Sequence, residues 1–378
     1  MDDWIKTTQD QVRDAAAQGL RLRVTGHDSL HHWVPPDPQA HVLSTQPYAG
    51  IVNYEPSELV VTVRAGTLLQ DLQQTLTQHH QCLPFDPPTC AKRTVGAMVA
   101  SGFAGSTRVS AGSVRDYLLG AHVINGRGEW LQLGGQVMKN VAGYDLGRLY
   151  AASWGTLGIM TQVSLKVMPI PPADITLAVR CRSEEAMILL RRARPQSWPL
   201  VASLWVGSGE QVGLLALRWR GAQASVSLAH QSWCEQLHRE GFEIDTLDAE
   251  QAHQHWGDWR DMKAPFFDSA AHQSQDLWRS VVPWETPLSP SAEEYVFDWH
   301  GGLRWQWVPK EQRTAEGNKA LIQRWSHFRV PTKTEGVETH PLNWQGLSLA
   351  EQQLQRRVQL SLDPHGVFLP AALRGEAC

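Results

Sequence analysis

The sequence is poor in cysteine, and its cysteines are scattered. Five occur among 378 residues, at Cys82, Cys90, Cys181, Cys234 and Cys378, and no C-x-x-C pair is present. Iron–sulfur ligation needs several thiolates close together, so the sequence predicts that this chain holds no cluster. We likewise expect no metal site, because the adjacent His31 and His32 have no third ligand at metal-site spacing.

Long apolar runs and an excess of one charge are also missing. No stretch of 18 apolar residues occurs, so no membrane span is expected. The acidic start Met1-Asp2-Asp3 is not followed by an apolar segment, so we expect no signal peptide and a cytoplasmic protein. The 34 Lys and Arg residues nearly balance the 38 Asp and Glu residues, and no basic run indicates nucleic-acid binding.

Tryptophan, by contrast, is abundant, with 17 residues that are frequent in the second half of the chain. The length indicates two or three domains and a large core. Tryptophan in such a chain fills a core or an interface. The sequence leaves open whether the Trp-rich half also offers a docking surface to another protein.

Helix and strand patterns alternate along the chain and indicate a mixed α and β protein. Residues 4–20 and 349–360 have helical periodicity, and Thr67 is predicted to cap a further helix. Residues 118–133 indicate a hairpin around the Asn125-Gly126 pair.

A change of pattern follows the proline-rich segment at 169–172. The order there becomes βαββαβ, which predicts a ferredoxin-like core. Its six elements are expected at residues 175–181, 183–194, 201–206, 212–219, 222–240 and 242–247.

The most informative stretch is residues 134–166. It contains G-G-Q-V-M-K-N-V-A-G-Y-D and then S-W-G-T-L-G, followed by alternating apolar residues from Ile159 onward. Glycine lets a backbone approach a flat or charged ligand closely because it has no Cβ. Taken alone, the pattern fits either a ligand-binding loop or a tight turn of any α/β domain.

This stretch and several other motifs, in the same order, resemble the vanillyl-alcohol oxidase / p-cresol methylhydroxylase (PCMH) superfamily. Within it, the chain is similar to the FAD-binding E subunits of bacterial glycolate oxidases, which carry G-G-x-V-M-K-N-V-A-G-Y-D. The resemblance is strong over residues 21–169 and weak as far as 298. It returns at 298–305 and 363–368.

The resemblance implies an α+β fold with two main parts. Residues 1–172 are expected to form a two-subdomain PCMH-type FAD-binding domain, followed by a ferredoxin-like α/β cap domain at 173–348. The cap would have its core at 174–247 and an extra strand at about 298–308. Residues 349–378 are expected to form a C-terminal helix and a D-P-x-G-V-F segment that returns towards the FAD domain.

The resemblance also implies FAD, held noncovalently, and the residues that bind it. The expected cofactor-binding residues are Gly26, His27, Asp28, Ser29, Thr94, Val95, Gly96, Ser101, Gly102, Ser113, Arg115, Asp116, Gly143, Gly158 and Ile159. The loop at 26–29 keeps one glycine of the usual triplet and is similar to the reduced G-x-x-S form of the E subunits. Its G-H-D letters are also similar to covalent members, so attachment through His27 is the alternative.

Each of these assignments has a plain structural alternative. The loop at 26–29 would otherwise be an ordinary turn, and Arg115 and Asp116 would be a surface ion pair. To separate the two interpretations, we expect Gly96→Val to abolish FAD binding while much of the fold survives, because the side chain would occupy space that the pyrophosphate needs.

Three residues are candidates for catalysis. Lys139 and Tyr144 lie in the motif that meets the flavin region in the superfamily, where a cation would favour a negatively charged flavin. Arg304 lies in D-W-H-G-G-L-R-W, similar to D-W-G-G-A-L-R-W of the E subunits, and suits a substrate carboxylate. The alternatives are a packed loop for the first two and a core or interface arginine for the third. Leu369 stands where relatives have a flavin-facing Asn.

The function implied by the resemblance is that of the FAD-binding subunit of a multi-subunit glycolate oxidase, which oxidises glycolate to glyoxylate. The expected partners are a catalytic flavin subunit and an iron–sulfur subunit, and only through them would the chain associate with the cytoplasmic membrane at its inner face. Two alternatives stay open at this point. One is a self-sufficient FAD-dependent oxidoreductase for 2-hydroxy acids or sugars, and the other is a non-catalytic structural subunit.

Overall fold

The structure is a computed structural model. It describes residues 2–30, 37–89, 92–135, 145–208, 211–268, 271–272, 274–287, 295–309, 327–330 and 348–368.

The chain divides into two compact units. The first comprises Met1–Ala104, Ser113–Ile170 and Leu347–Cys378, and the second comprises Gly105–Gly112 and Pro171–Gly346. The sequence alone assigns 105–112 to the FAD-binding domain, whereas the structure packs this segment into the second unit.

The first 170 residues contain five helices and nine strands within the described ranges. In chain order these are α1 (Asp3–Gln18), β1 (Arg21–Thr25), β2 (Ala40–Ser44), β3 (Ile51–Glu55), β4 (Val60–Arg64), α2 (Leu69–Gln78), β5 (Gln81–Cys82), α3 (Val95–Ser101), α4 (Arg108–Ala111), α5 (Val114–Tyr117), β6 (Leu118–Ile124), β7 (Trp130–Gly134), β8 (Ile159–Lys166) and β9 (Met168–Pro169). The remaining described elements are β10 (Ala173–Cys181), α6 (Ser183–Ala193), β11 (Leu200–Gly207), β12 (Gly213–Gly221), α7 (Gln223–Arg239), β13 (Glu243–Leu247), α8 (Ala249–Arg260), β14 (Gln275–Val281), β15 (Tyr295–Asp298), β16 (Leu303–Pro309), β17 (His327–Val330) and α9 (Leu349–Leu362).

The described part of the first unit has two main sheets, each with its own core, as the two-subdomain expectation requires, and a short antiparallel pair of β5 with β9. Strands β1 and β2 pair in parallel, and α1 buries Ile5, Val12 and Ala15 in the core of this smaller part. The larger part is a five-stranded antiparallel sheet in the order β3-β4-β8-β6-β7. Helices α2 and α3 contribute to its core, with Leu72 and Met98 almost completely buried.

Local patterns predicted most elements of this unit, and one detail differs. The predicted hairpin is present as β6 and β7. Thr67 does not cap α2, which begins at Leu69 after Leu68; instead the Thr67 hydroxyl donates to the Arg64 carbonyl at 2.7 Å and accepts from the Gly50 amide at 2.8 Å. The Thr67 hydroxyl therefore stabilises the turn before the helix, and α2 begins two residues later, at Leu69.

The second unit contains one eight-stranded sheet in the order β13-β10-β12-β11-β15-β16-β14-β17. Its first four strands, with α6 and α7, have the 4-1-3-2 order of a ferredoxin-like βαββαβ fold, so this prediction is confirmed. The extra strand expected at about 298–308 is present as β16. Strand β15 precedes it across a turn at Trp299–Gly301, and β14 pairs with the other edge of β16.

Candidate functional site

A cleft in the first unit is the site with the clearest capacity for a large ligand. It is open on one side, and the space within it and at its mouth is about 1090 Å³. Strand β1 and the loop after it form one wall, α3 another, and the segment 154–160 a third. Its lining comprises Arg21, Leu22, Arg23, Val24, Thr25, Gly26, Asp28, Ser29, Leu30, Asp37, Ala40, Thr45, Ala65, Thr94, Gly96, Ala97, Ala100, Trp154, Gly155, Gly158, Met160 and Phe368.

The loop after β1, which lines the cleft at Gly26, Asp28, Ser29 and Leu30, has several backbone donors without an acceptor in the described part of the chain. Among the described residues, the amide groups of Gly26, His27, Ser29 and Leu30 donate to no protein acceptor, although the loop is mostly half-buried. Asp28 has a left-handed backbone with φ 55°, which turns the chain at the middle of the loop. Half-buried amides without a protein acceptor are suited to the oxygens of an anionic ligand such as a pyrophosphate.

Two arginines give the same wall positive charge, and each already has a carboxylate partner. The guanidinium of Arg23 contacts the Asp28 carboxylate at 2.6 Å, and that of Arg21 contacts Asp37 at 2.7 Å. The Arg21–Asp37 pair is the more buried of the two. These pairs fix the β1 wall, and the unpartnered amides of the loop remain the groups available to a ligand.

Helix α3 presents small residues to the cleft, and it is held by a side-chain cap. Thr94 accepts a hydrogen bond from the Ala97 amide at 3.2 Å, and Gly102 closes the helix with φ 65°. Gly96, Ala97 and Ala100 line the cleft, so this wall has little side-chain bulk.

The glycine at position 96 is needed for a different reason from the one the sequence suggested. A Cβ built on Gly96 would lie 2.9 Å from the Ala65 Cβ and 3.0 Å from the Ala65 carbonyl oxygen. The close approach is therefore between α3 and the chain after β4, inside the protein. The expectation that Gly96→Val spares the fold is accordingly revised: this variant would disturb packing as well as the ligand site.

The third wall combines an indole with two glycines in unusual backbone conformations. Trp154 has φ 56° and packs edge-to-face on Phe103, with ring centroids 5.4 Å apart. Gly155 has φ 75° with open space beyond its Cα, and Gly158 has φ 143° with the Ile124 carbonyl 2.5 Å from where a Cβ would be. The sequence identified the S-W-G-T-L-G motif here, but not that the Trp154 ring lines the cleft.

The C-terminal D-P-x-G-V-F segment completes the cleft through Phe368. The buried Asp363 carboxylate accepts from the amides of Val367 at 2.9 Å and Phe368 at 2.8 Å. The Val367 carbonyl in turn accepts from the Leu22 amide at 2.8 Å, which attaches this segment to β1. The predicted return of the C-terminal segment to the first unit is thus seen; Leu369 lies outside the described residues.

Several of the predicted binding residues come together at the cleft, namely Gly26, Asp28, Ser29, Thr94, Gly96 and Gly158. Others serve the framework: Val95 and Ile159 are buried in the cores, and the Ser101 hydroxyl donates to the Met98 carbonyl at 3.3 Å. His27 contributes its backbone to the loop but is not among the lining residues.

Three further residues expected to bind the cofactor, Ser113, Arg115 and Asp116, lie at and just after the start of α5. In the structure Asp116 lies in the short helix α5, and its carboxylate accepts from the Ser113 amide at 2.7 Å and the Ser113 hydroxyl at 3.1 Å. Asp116 therefore caps a helix, and neither it nor the exposed Arg115 lines the cleft.

The catalytic candidates are divided between the two units. Lys139 and Tyr144, together with the predicted binding residue Gly143, lie outside the described residues. Arg304, on β16 of the second unit, donates to the Pro287 carbonyl at 2.7 Å and to the Thr286 carbonyl. These contacts hold a loop in place.

Comparison with known proteins identifies the family. A family profile described as "FAD binding domain" matches residues 5–134 of this chain, which include the loop at 26–30 and α3. The chain is 34% identical over 380 residues to "Glycolate oxidase subunit GlcE" of Escherichia coli (strain K12), covering 99% of this chain and 98% of that protein. The chain belongs to the GlcE family.

Two further likenesses agree with this membership. "Glycolate oxidase subunit GlcD" of Bacillus subtilis (strain 168) is 33% identical over 127 residues, which are 34% of this chain and 27% of that protein. Among solved structures, "alkyldihydroxyacetonephosphate synthase in P1" superimposes with a TM-score of 0.64 at 13% identity, covering 96% of this chain and 74% of that one. At this identity the second likeness concerns the fold alone, and the α+β fold with an FAD-binding domain is confirmed.

The cleft of this GlcE-family chain fits FAD by its own chemistry. Unpartnered amides, a wall of Gly96, Ala97 and Ala100, and the Trp154 ring provide donors, close approach and apolar contact in one place. Within the described ranges, no three His, Cys, Asp or Glu side chains cluster as metal ligands. No helix of the described chain is long and apolar enough to cross a bilayer.

Proposed function

We propose that this chain is the FAD-binding subunit of a multi-subunit glycolate oxidase that oxidises glycolate to glyoxylate. The observation that carries the proposal is the likeness to GlcE over 99% of this chain and 98% of that protein, since it includes the second unit as well as the FAD-binding domain. A chain that shared only its cofactor domain with the oxidase would match over that domain alone.

The residues that would hold FAD follow from the cleft. The amides of the loop at 26–30 would bind the pyrophosphate oxygens, and Ala97 and Ala100 would leave room along α3. Trp154 and Met160 would contact apolar parts of the cofactor and exclude water. When bound, FAD supplies a two-electron acceptor for the oxidation of a hydroxy acid.

Partner subunits are the second part of the proposal. In this proposal electrons leave through an iron–sulfur subunit, and a catalytic flavin subunit completes the site for glycolate. It is supported by the absence of any C-x-x-C pair from the sequence. FAD would be noncovalent, and any membrane association would come through the partners. The names GlcE and GlcD of the relatives support a multi-subunit oxidase.

The test is a dye-reduction assay with glycolate on the pure chain, with and without subunits co-expressed from the same host. We expect a yellow chain that reduces little dye alone and a large gain when the partners are present. Full turnover by the chain alone would contradict the subunit proposal and indicate a free-standing oxidoreductase. A colourless chain that nevertheless assembles would indicate a non-catalytic structural subunit.

A further inference from the structure

The turn between β15 and β16 has an unusual backbone. Trp299, His300 and Gly301 all have positive φ, at 50°, 54° and 90°. Two consecutive non-glycine residues in this region are strained. Such a turn persists only where its surroundings impose it, so its contacts show what the strain maintains.

Buried hydrogen bonds impose this turn from two sides. The Asp298 carboxylate accepts from the Trp299 amide at 2.6 Å and from the indole N–H of Trp259 at 3.2 Å. The Ser203 hydroxyl accepts from the His300 amide at 3.1 Å and lies 2.8 Å from His300 Nδ1. Burial raises the pKa of Asp298 to about 6, so at pH 7 the carboxylate is mainly ionised and accepts these bonds as an anion.

The turn and Asp298 before it contact the segment Gly105–Gly112. The Ser106 hydroxyl donates a hydrogen bond to Asp298 Oδ2 at 2.8 Å, and the Trp299 indole N–H donates one to the Gly105 carbonyl at 3.2 Å. The Arg108 guanidinium lies 4.7 Å from the centroid of the Trp299 ring. Gly105 and Ser106 are buried, so the start of this segment is fixed in the second unit.

The same segment continues directly from the cleft wall. Helix α3, which supplies Ala97 and Ala100 to the cleft, ends at Gly102, and Gly105 follows only three residues later. The carbonyls of Val99 and Ala100 also accept from the amides of Ala152 and Trp154, both at 2.9 Å. The end of α3 thus sets the position of Trp154, and the chain after α3 is held at Gly105.

We propose that Asp298, Ser106 and Trp299 are positioning residues for FAD: they hold the chain after α3 and thereby fix the helical wall of the cleft and Trp154. The inference rests on the proposed function only in taking FAD as the ligand of the cleft. None of the three residues lines the cleft, so each acts through the chain and not by touching the cofactor.

The variants that test the proposal each remove one hydrogen bond and little volume. Ser106→Ala deletes the bond to Asp298, and Trp299→Phe deletes the bond to Gly105 while keeping an aromatic ring beside Arg108. The matched control is Thr176→Val, which removes the buried 2.9 Å bond from the Trp256 indole to Thr176 elsewhere in the second unit. Thermal unfolding is measured for each variant, and only variants that unfold cooperatively are compared.

Two measurements are made on each variant: the FAD dissociation constant by titration of the apoprotein, and amide hydrogen exchange of α3 without FAD. We expect Ser106→Ala and Trp299→Phe to raise the dissociation constant by about 2- to 30-fold, the range of couplings along connected side chains. Exchange in α3 should become faster in the same variants. Thr176→Val should change neither quantity.

A chain insertion distinguishes an effect on FAD binding that is transmitted through residues 102–105 from an effect of general destabilisation. Gly-Ser-Gly inserted between Ala104 and Gly105 should itself weaken FAD binding, and Ser106→Ala should then add nothing. The control is the same insertion after Gly241, where an added Cβ would have nothing within 4 Å. An unchanged dissociation constant and α3 exchange in Ser106→Ala and Trp299→Phe, or an equal effect with and without the insertion, would overturn the proposal.

Failure of the inference is distinct from failure of the proposed function. A wild-type chain that binds no FAD would contradict the assigned cofactor, while α3 exchange in the apoprotein would still decide whether Ser106 and Trp299 hold the helix. Normal FAD binding with unaltered α3 exchange in both variants would contradict the positioning role alone.

Discussion

In the loop after β1 four backbone amides donate to no acceptor among the described residues, whereas the polar groups around Asp298 are hydrogen-bonded to one another. The loop amides face a cleft, and the Asp298 carboxylate is occupied by Ser106, Trp259 and the Trp299 amide. Both places have left-handed non-glycine residues, so strain alone does not distinguish them. The difference shows that an unsatisfied donor indicates a ligand, while a satisfied buried network indicates a framework.

The largest effect is expected from breaking a framework bond of the first unit. Asp363→Ala would leave the buried amides of Val367 and Phe368 without their acceptor, and each unsatisfied group costs roughly 1–3 kcal/mol. The free energy of unfolding, measured in urea, should fall by about 2–6 kcal/mol. FAD binding should weaken too, because Phe368 lines the cleft.

The control for this variant is Asp363→Asn, which keeps one acceptor oxygen of similar shape and should lose roughly half as much stability. Equal stability of Asp363→Ala and wild type would show that the C-terminal segment is not held by this carboxylate.

A pH titration tests the buried network of the second unit through His300. Burial lowers the pKa of His300 to about 4, so the folded state holds a neutral imidazole where the unfolded chain would protonate near pH 6.5. The stability linked to His300 is present above pH 6.5 and is lost as pH falls through 4, by up to about 3 kcal/mol. His300→Asn, which tolerates the left-handed backbone, should remove this loss.

The measurement is the difference between the free energies of unfolding of the wild type and of His300→Asn from pH 4 to 7. Taking a difference matters because Asp298 works in the opposite direction: its raised pKa contributes stability at low pH that is lost as pH rises through about 6. Parallel profiles for wild type and His300→Asn would contradict the buried neutral imidazole.

A smaller effect is expected from filling the cleft. Ala97→Leu with Ala100→Leu adds bulk to the wall of α3 and keeps good helix formers, so the fold should survive. Crowding of this kind typically costs 1–3 kcal/mol, so the FAD dissociation constant should rise by about 5- to 150-fold. Ala224→Leu, on the exposed face of α7, controls for added hydrophobic surface. Unaltered affinity of the double variant would exclude α3 as a wall of the FAD site.

The smallest effect is expected at His27, whose backbone and not its ring belongs to the cleft loop. Acid precipitation of the wild type should release all flavin into the supernatant, and His27→Ala should retain its flavin content. Flavin that remains in the wild-type precipitate and is lost in His27→Ala would establish a covalent bond instead.

The sequence was sufficient where local patterns decide the structure. The hairpin of β6 and β7 and the βαββαβ order depend on turn residues and hydrophobic periodicity, and both are present. The pairing of β14 with β16 is set by contacts between distant segments, which periodicity does not reveal.

For the site too, the sequence predicted the residues that lie in local motifs but not those that distant contacts bring to the cleft. Glycine motifs located the loop at 26–29 and the start of α3, but the reason for Gly96 proved to be its packing on Ala65. The contribution of Phe368 to the cleft depends on a segment more than 200 residues away from α3 in the sequence. The segment 105–112 likewise packs in the second unit through contacts with distant residues, such as the bonds of Ser106 with Asp298 and of Ser110 with Val201, which no local motif predicts.

Hydrogen exchange with and without FAD tests most directly whether the unpartnered amides mark the cofactor site. In the apoprotein the amides of Gly26, His27, Ser29 and Leu30 should exchange rapidly, because they donate to no acceptor in the described part of the chain. FAD should slow exchange at 26–30, with smaller protection at 94–101 and 153–160, and leave 213–247 unchanged. Protection confined to the second unit, or rapid exchange at 26–30 in the FAD-saturated protein, would contradict the account.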